Sequence, residues 1–330
     1  MAIAENIGSH RFSIQTGKGV ASATSQYGMY IAGGSQVGAT GTDAPFEEST
    51  GLRMRSDRYV SERHAEGSPE FYVTPNTLAP LLYGALGAQV TTGTEDPWSH
   101  SITPAASRPW LTWWRNTADL YHEVSSDTKV NTLTLSGESG APLHVALDVH
   151  GLRPQYQDTA EVTAAIASAG RLIFYDGDGT LSLEGEAFAD IRAFTLTISN
   201  NGELIPGDSL LPIDVSEGEL TITLTITKLA LTADYRNRLY FGSDTPANDA
   251  DAVAQIMELG GTPSVDFKFL RSSTPERSAA FSMPRVIMEP FDVTTGTGST
   301  PLTEELSLIA LQPDAGDAIT AVVLNETETL

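Results

Sequence analysis

The chain has 330 residues, no cysteine, and 42 acidic against 19 basic side chains, for a formal charge of −23. Disulfide scaffolds, thiolate nucleophiles and cysteine-based zinc sites are thereby excluded, and the mean field repels nucleic acid and anionic membranes. A hydrophobic content of 40% supplies a core for one large β domain or two domains, while the longest apolar runs fall well short of the ~20 residues that cross a bilayer.

The opening MAIAENIGSHR has no apolar segment after a basic one and reads as a cytoplasmic product without a signal peptide. Residues 1–68 read as an extended, loop-rich arm, since AGGSQVGATGTDAPFEESTG holds too few apolar side chains for a core of its own. Within it, 28–31 and 52–60 have strand character. The second stretch carries Arg53, Arg55 and Arg58, a basic spot in an acidic chain that is either a solvated loop or a contact to an acidic surface on a partner subunit.

Residues 70–74 read as a strand leading into a helix, with Thr74 as N-cap and Pro75 in the first turn. Leu78, Leu81, Leu82, Ala85 and Leu86 form one apolar stripe that ends at Gly87, and Pro80 should kink the helix or mark its true start. Trp110, Trp113 and Trp114 follow in a strand-like run. Without a basic groove beside them they suit a core or interface better than stacked bases.

Residues 129–152 make the cleanest hairpin, with Leu133 and Leu135 before the turn SGESGAP and Leu143, Val145, Leu147 and Val149 after it. His144, Asp148 and His150 share the opposite face. Two histidines and an aspartate so spaced could bind a metal, but exposed polar alternation explains them without one and is the favoured reading, since no second cluster completes the shell. Residues 157–169 are ambiguous between loop and short helix.

The stretch LIFYDGDGTLSLEGEAFADIRAFTLTISNN at 172–201 invites two readings. DGDGT at 176–180 matches the signature of the haloacid-dehalogenase phosphatases, in which Asp176 would attack a phosphoryl group and Asp178 would be general acid/base, both holding magnesium. That chemistry needs a parallel strand, a loop and a helix. Here the sequence alternates instead, and Asp-Gly between alternating runs is a hairpin signal. Thr195 and Thr197, and further on Thr221, Thr223, Thr225 and Thr227, alternate with aliphatic residues. Such a threonine face belongs to a good strand, or to a surface turned toward a lumen or a subunit seam. Helices are expected over 232–242 and 249–260, the latter with Ala250, Val253, Ala254 and Met257 on one stripe. Strands resume at Val265, Phe267 and Phe269, continue over 281–293, 302–311 and 318–324, and end in a frayed or arm-like ETETL.

In their order, EFYVTPNTLAPLLYGALG, KVNTLTLSGESGAPLHVALDVHGL and the 172–201 run resemble the major tail tube proteins of long-tailed, siphovirus-type bacteriophages. The resemblance implies a mainly β, sandwich or barrel-type subunit with a flanking helix and extended terminal arms. Its layout would be an arm over 1–68, a core over 69–245 with the helix near 75–87, a helical insertion over 246–262, and closing strands with a C-terminal arm over 263–330. Inner strands would join into a barrel running around a hexameric ring, and rings would stack into the tail conduit through which double-stranded DNA passes without specific binding. The implied partners are further copies of the chain, the tape-measure protein and tail-completion proteins. The setting is the virion tail, assembled in the host cytoplasm, with no catalysis, cofactor, metal or membrane.

Overall fold

The structure, a computed structural model, describes residues 8–46, 57–117, 121–166, 170–172, 179–187, 191–230, 234–252, 256–273, 275–291, 293–294 and 302–330. The first strands are β1 (Gly8–Ile14), β2 (Tyr27–Tyr30), β3 (Gly33–Gly34), β4 (Gly38–Pro45), β5 (Arg58–Gly67) and β6 (Pro69–Tyr72), before helix α1 (Pro75–Leu86). There follow β7 (Gly87–Thr92), β8 (Trp98–Pro104), β9 (Leu111–Thr117), β10 (Tyr121–Glu138), β11 (His144–Gln157), β12 (Gly179–Leu183), β13 (Glu186–Ala187), β14 (Ile191–Ser199), β15 (Leu204–Ile205), β16 (Asp214–Val215) and β17 (Thr221–Leu229). Helix α2 (Asp234–Phe241) precedes β18 (Met257–Ser273), β19 (Glu276–Met288), β20 (Val293–Thr294), β21 (Thr303–Ala310) and β22 (Thr320–Asn325).

Helix α1 forms as its local chemistry dictates. The Thr74 hydroxyl accepts from the Thr77 amide at 3.3 Å, the Thr77 hydroxyl accepts from the Thr74 amide at 3.1 Å, and Gly87 closes the helix with φ 104°. Pro80 lies inside the helix rather than at its start. Leu78, Leu81, Leu82, Ala85 and Leu86 are buried, and the helix packs on β7, β8, β10 and β22.

The long hairpin of β10 and β11 is the spine of the sheet. The first half of β10 pairs with β9, and its second half pairs with β14. From β14 the ladder passes to β17, β21 and β19, where it divides toward β18 and β12 on one side and toward β22, β8 and β7 on the other. All these ladders are antiparallel. Among the described residues they branch without returning to their starting strand, so two layers face one another across the core as an open sandwich. Aromatic rings join the layers: Phe194 of β14 stacks on Phe269 of β18 at 5.0 Å between centroids, and Phe267 stacks on Phe281 of β19 at 4.8 Å.

Three expectations meet a different outcome. Residues 8–14 are a sheet strand rather than a loose arm, because β1 is flanked by β2 and β9 and buries Phe12 against Trp113. What projects from the N-terminal part is the hairpin of β4 and β5. The helix expected over 249–260 is absent among its described residues: 249–252 have no regular helix, and Met257 opens β18. There Met257 and Leu259 are buried while Ile256 and Glu258 are exposed, a strand alternation that outranks the weak helical stripe once β19 offers a partner. The C-terminal residues are docked rather than frayed. Thr327 O accepts from His100 Nε2 at 2.9 Å, and Asn76 of α1 donates to Glu326 at 2.5 Å. The second predicted helix over 232–242 is present as α2, and residues 158–165 form a loop against β1 and β9, with Arg11 Nε donating to Ala164 O at 3.0 Å.

Candidate functional site

The threonines singled out in the sequence come together. Register places Thr195 opposite Thr225 and Thr197 opposite Thr223, while Thr221 faces Ser199 and Thr227 faces Ala193. On the other side of β14, Ser136 of β10 meets Thr195, Thr134 meets Thr197, and Thr132 meets Ser199. One row thus runs His144, Ser136, Thr195, Thr225, Ser307 across five strands. Successive side chains of a strand point to opposite faces. The intervening Leu133, Leu135, Phe194, Leu196, Ile198, Ile222, Leu224 and Ile226 are therefore in the core.

The result is a broad surface of partly exposed hydroxyls. No charged side chain occupies it on β10, β14 or β17 between Thr132 and Ser136, Ala193 and Ser199, or Thr221 and Thr227. Carboxylates appear at its margins, Glu70 and Asp148 on one side and Glu305 on the other, with His144 beside Glu70. A shallow cavity lined by Tyr72, Ser136, His144 and Thr195 dents one end. Hydroxyls hydrogen-bond water and offer neither a counter-ion nor a repelling charge to a polyanion.

The metal triplet considered from sequence is divided. His144 turns to Glu70, with Nε2 3.6 Å from Oε2, and leaves the other two. Asp148 and His150 instead meet Glu66 of β5, which sequence reading missed, although the alternation Glu62, His64, Glu66 was its visible signal. Arg58 is exposed at the start of β5, its guanidinium 3.5 Å from the Asp43 carbonyl. Arg53, Arg55, Asp176 and Asp178 lie outside the described residues.

The context of the phosphatase signature is described on its C-terminal side. There β12 pairs antiparallel with β18, Leu181 opposite Phe267, and turns at Glu184 and Gly185 (φ 54° and 83°) directly into β13. A strand and a tight hairpin stand where that chemistry requires a helix.

Sequence reading also missed a polar network around the first half of β10. Glu217 takes bonds from both Arg108 Nε, at 2.6 Å, and Lys129 Nζ, and Lys129 lies 4.3 Å from the centre of the Trp110 ring. Partial burial works against ionisation of Glu217, but the bonds from Lys129 and Arg108 outweigh it and hold its carboxyl below the usual range. Asp127, at a bulge with φ 53°, accepts from the Gly19 amide at 2.6 Å. His10 of β1 is wholly buried between Phe71 and Trp113. Burial, with a contribution from Arg115, lowers its pKa to about 3, so its ring is neutral.

No helix among the described residues is long and apolar enough to cross a membrane. Compared with known proteins, the chain has no match among curated sequences. The profile of one family, described as phage tail tube protein, matches residues 11–308.

Proposed function

The chain belongs to the phage tail tube protein family, and from that premise we propose that its hydroxyl face lines the bore of a tube built from hexameric rings. Its role is structural. Rings stack, the bore first holds the tape-measure protein, and double-stranded DNA then passes through it into the host. Tail-completion proteins meet the ends of the tube, which is assembled in the host cytoplasm and carried in the virion tail. Between subunits, Arg58 at the start of β5, together with Arg53 and Arg55 shortly before it in the sequence, contacts acidic surface of a neighbour, which a chain of net charge −23 offers in abundance. Pairing between sheets of adjacent subunits would also cover edges that the open sandwich leaves free.

The observation that carries the reading is the uncharged hydroxyl surface spanning β10, β14 and β17. Sliding DNA needs a wall to which phosphates do not adhere, and arginine or lysine there would hold it. The absence of cysteine makes a direct test available. Thr197→Cys and Thr223→Cys are labelled in the free subunit and in assembled tubes, once with a small maleimide and once with a maleimide on a particle wider than the bore. Both reagents should label the free subunit, and only the small one should label the tube. Labelling of the tube by both would place the face outside and overturn the assignment. Labelling by neither would place it in a subunit seam and overturn the bore while sparing the tube.

A further inference from the structure

Beyond the hydroxyl rows, where β5 lies against β11, carboxylates and imidazoles interleave. Glu62, His64 and Glu66 follow one another along one side of β5, and register sets Glu66 directly opposite His150. Asp148 stands two residues before His150, with Oδ2 3.4 Å from His150 Nε2. One ligand atom from each of Glu66, Asp148 and His150 falls within 4.8 Å of the others.

Groups outside the trio hold two of these side chains in place. Asn131 Nδ2 donates to Asp148 Oδ2 at 3.0 Å. His64 Nε2 is 3.3 Å from Glu66 Oε2, and its Nδ1 is 3.1 Å from Glu62 Oε1. The third is incompletely satisfied, since His150 Nδ1 is buried without a hydrogen-bond partner. Nearby protein cations are engaged elsewhere: Lys129, opposite His150, bonds Glu217, and Arg63 of β5 pairs with Asp43 at 3.1 Å. Among the described residues the ion-pair partners of Glu66 and Asp148 are imidazoles alone.

We propose that Glu66, Asp148 and His150 bind a divalent transition-metal cation of the zinc class, which fastens the hairpin of β4 and β5 to β11. One imidazole nitrogen with two carboxylate oxygens is a donor set for zinc, with a fourth position left to water, and the imidazole disfavours magnesium and calcium. Asn131 and His64 act as the outer partners that orient such ligands. The place is mechanically apt. The ladder between β5 and β11 comprises only Gly67, Glu66 and Ala65 against Val149, His150 and Gly151, so an ion here reinforces the narrow root of the projecting hairpin.

Binding is read on the full-length unassembled protein and does not rest on the tube reading. Zinc chloride titrated by calorimetry should saturate at one ion per chain, with magnesium chloride in excess failing to compete. Glu66→Gln and Asp148→Asn should each weaken binding by about tenfold or more, whereas His144→Ala should leave it unchanged. The thermal midpoint should rise with zinc in the wild type and not in those two carboxamide variants. Glu66 is 48% exposed, so its carboxamide keeps the shape and the fold. If a variant nevertheless unfolds, cobalt substituted into the wild-type protein decides, because four-coordinate nitrogen and oxygen ligation gives visible absorption far stronger than the weak band of the octahedral aquo ion. No saturable zinc uptake, or uptake indifferent to both carboxamide variants, would overturn the proposal.

Discussion

The two halves of β10 are built on opposite plans. From Thr132 to Gly137 the strand alternates, with Leu133 and Leu135 in the core and Thr132, Thr134 and Ser136 on the hydroxyl face. From His122 to Val130 every residue is buried, although most are polar or charged. The second half is held by the hydrophobic effect on one side and water on the other. The first half has no watery side, and its charged groups and Thr128 are held by partners instead: Glu123 has Arg115 and Tyr121, Thr128 has the Leu111 carbonyl, Lys129 has Glu217. One strand therefore carries an uncharged surface that tolerates change beside a network that does not.

The sharpest way to break this contrast is Glu217→Ala, which strands Arg108 and Lys129 with side chains only 2% and 5% exposed. The expected loss is about 3 kcal/mol in denaturant unfolding. A loss near zero would mean that the network is not coupled as its distances imply. Lowering the pH acts on the same network, because Glu217 ionises more readily than a free glutamate. Its share of stability is complete above that ordinary value, 4.5, and is lost as pH falls below it.

Next in size is the buried His10. The unfolded chain takes up a proton below 6.5 that the folded ring refuses down to about 3, so this contribution is whole above pH 6.5 and shrinks as pH falls toward 3. Between pH 6.5 and 5 the loss is about 2 kcal/mol. His10→Phe keeps the ring contacts to Phe71 and Trp113, and unfolding curves for the variant should lack that slope. Equal slopes in both proteins would place the acid sensitivity elsewhere. The smallest effect sharpens the other side of the comparison: Thr197→Val and Thr223→Val should shift stability by less than about 0.5 kcal/mol. A larger loss would mean that the hydroxyls are structural and not a surface.

What the sequence made legible follows the same division. Thr74, Pro75 and Gly87 bounded α1 because capping is local chemistry, and the alternation of Thr221 to Thr227 identified a strand with one dry face. The first half of β10 was illegible because its period of two is erased when both faces are covered, here by α1 and β4 and by the segments around Gly19 and Glu217. β18 was mistaken for a helix at its start because Ala250, Val253 and Met257 fit a turn of 3.6 residues, and only pairing of Met257 with Met288 decides otherwise. The candidate cation site was half visible. Asp148 and His150 show the spacing, but Glu66 reaches them through a strand pairing that no local pattern announces.

The ring stack of Phe194, Phe269, Phe267 and Phe281 stands directly behind the hydroxyl rows. Curvature of a wall is governed by what props it from the rear, so the calibre of any passage this sheet encloses is written into side chains that nothing travelling through it will ever meet. Trimming Phe269 would leave every hydroxyl unaltered and still change the curvature of the sheet that bears them.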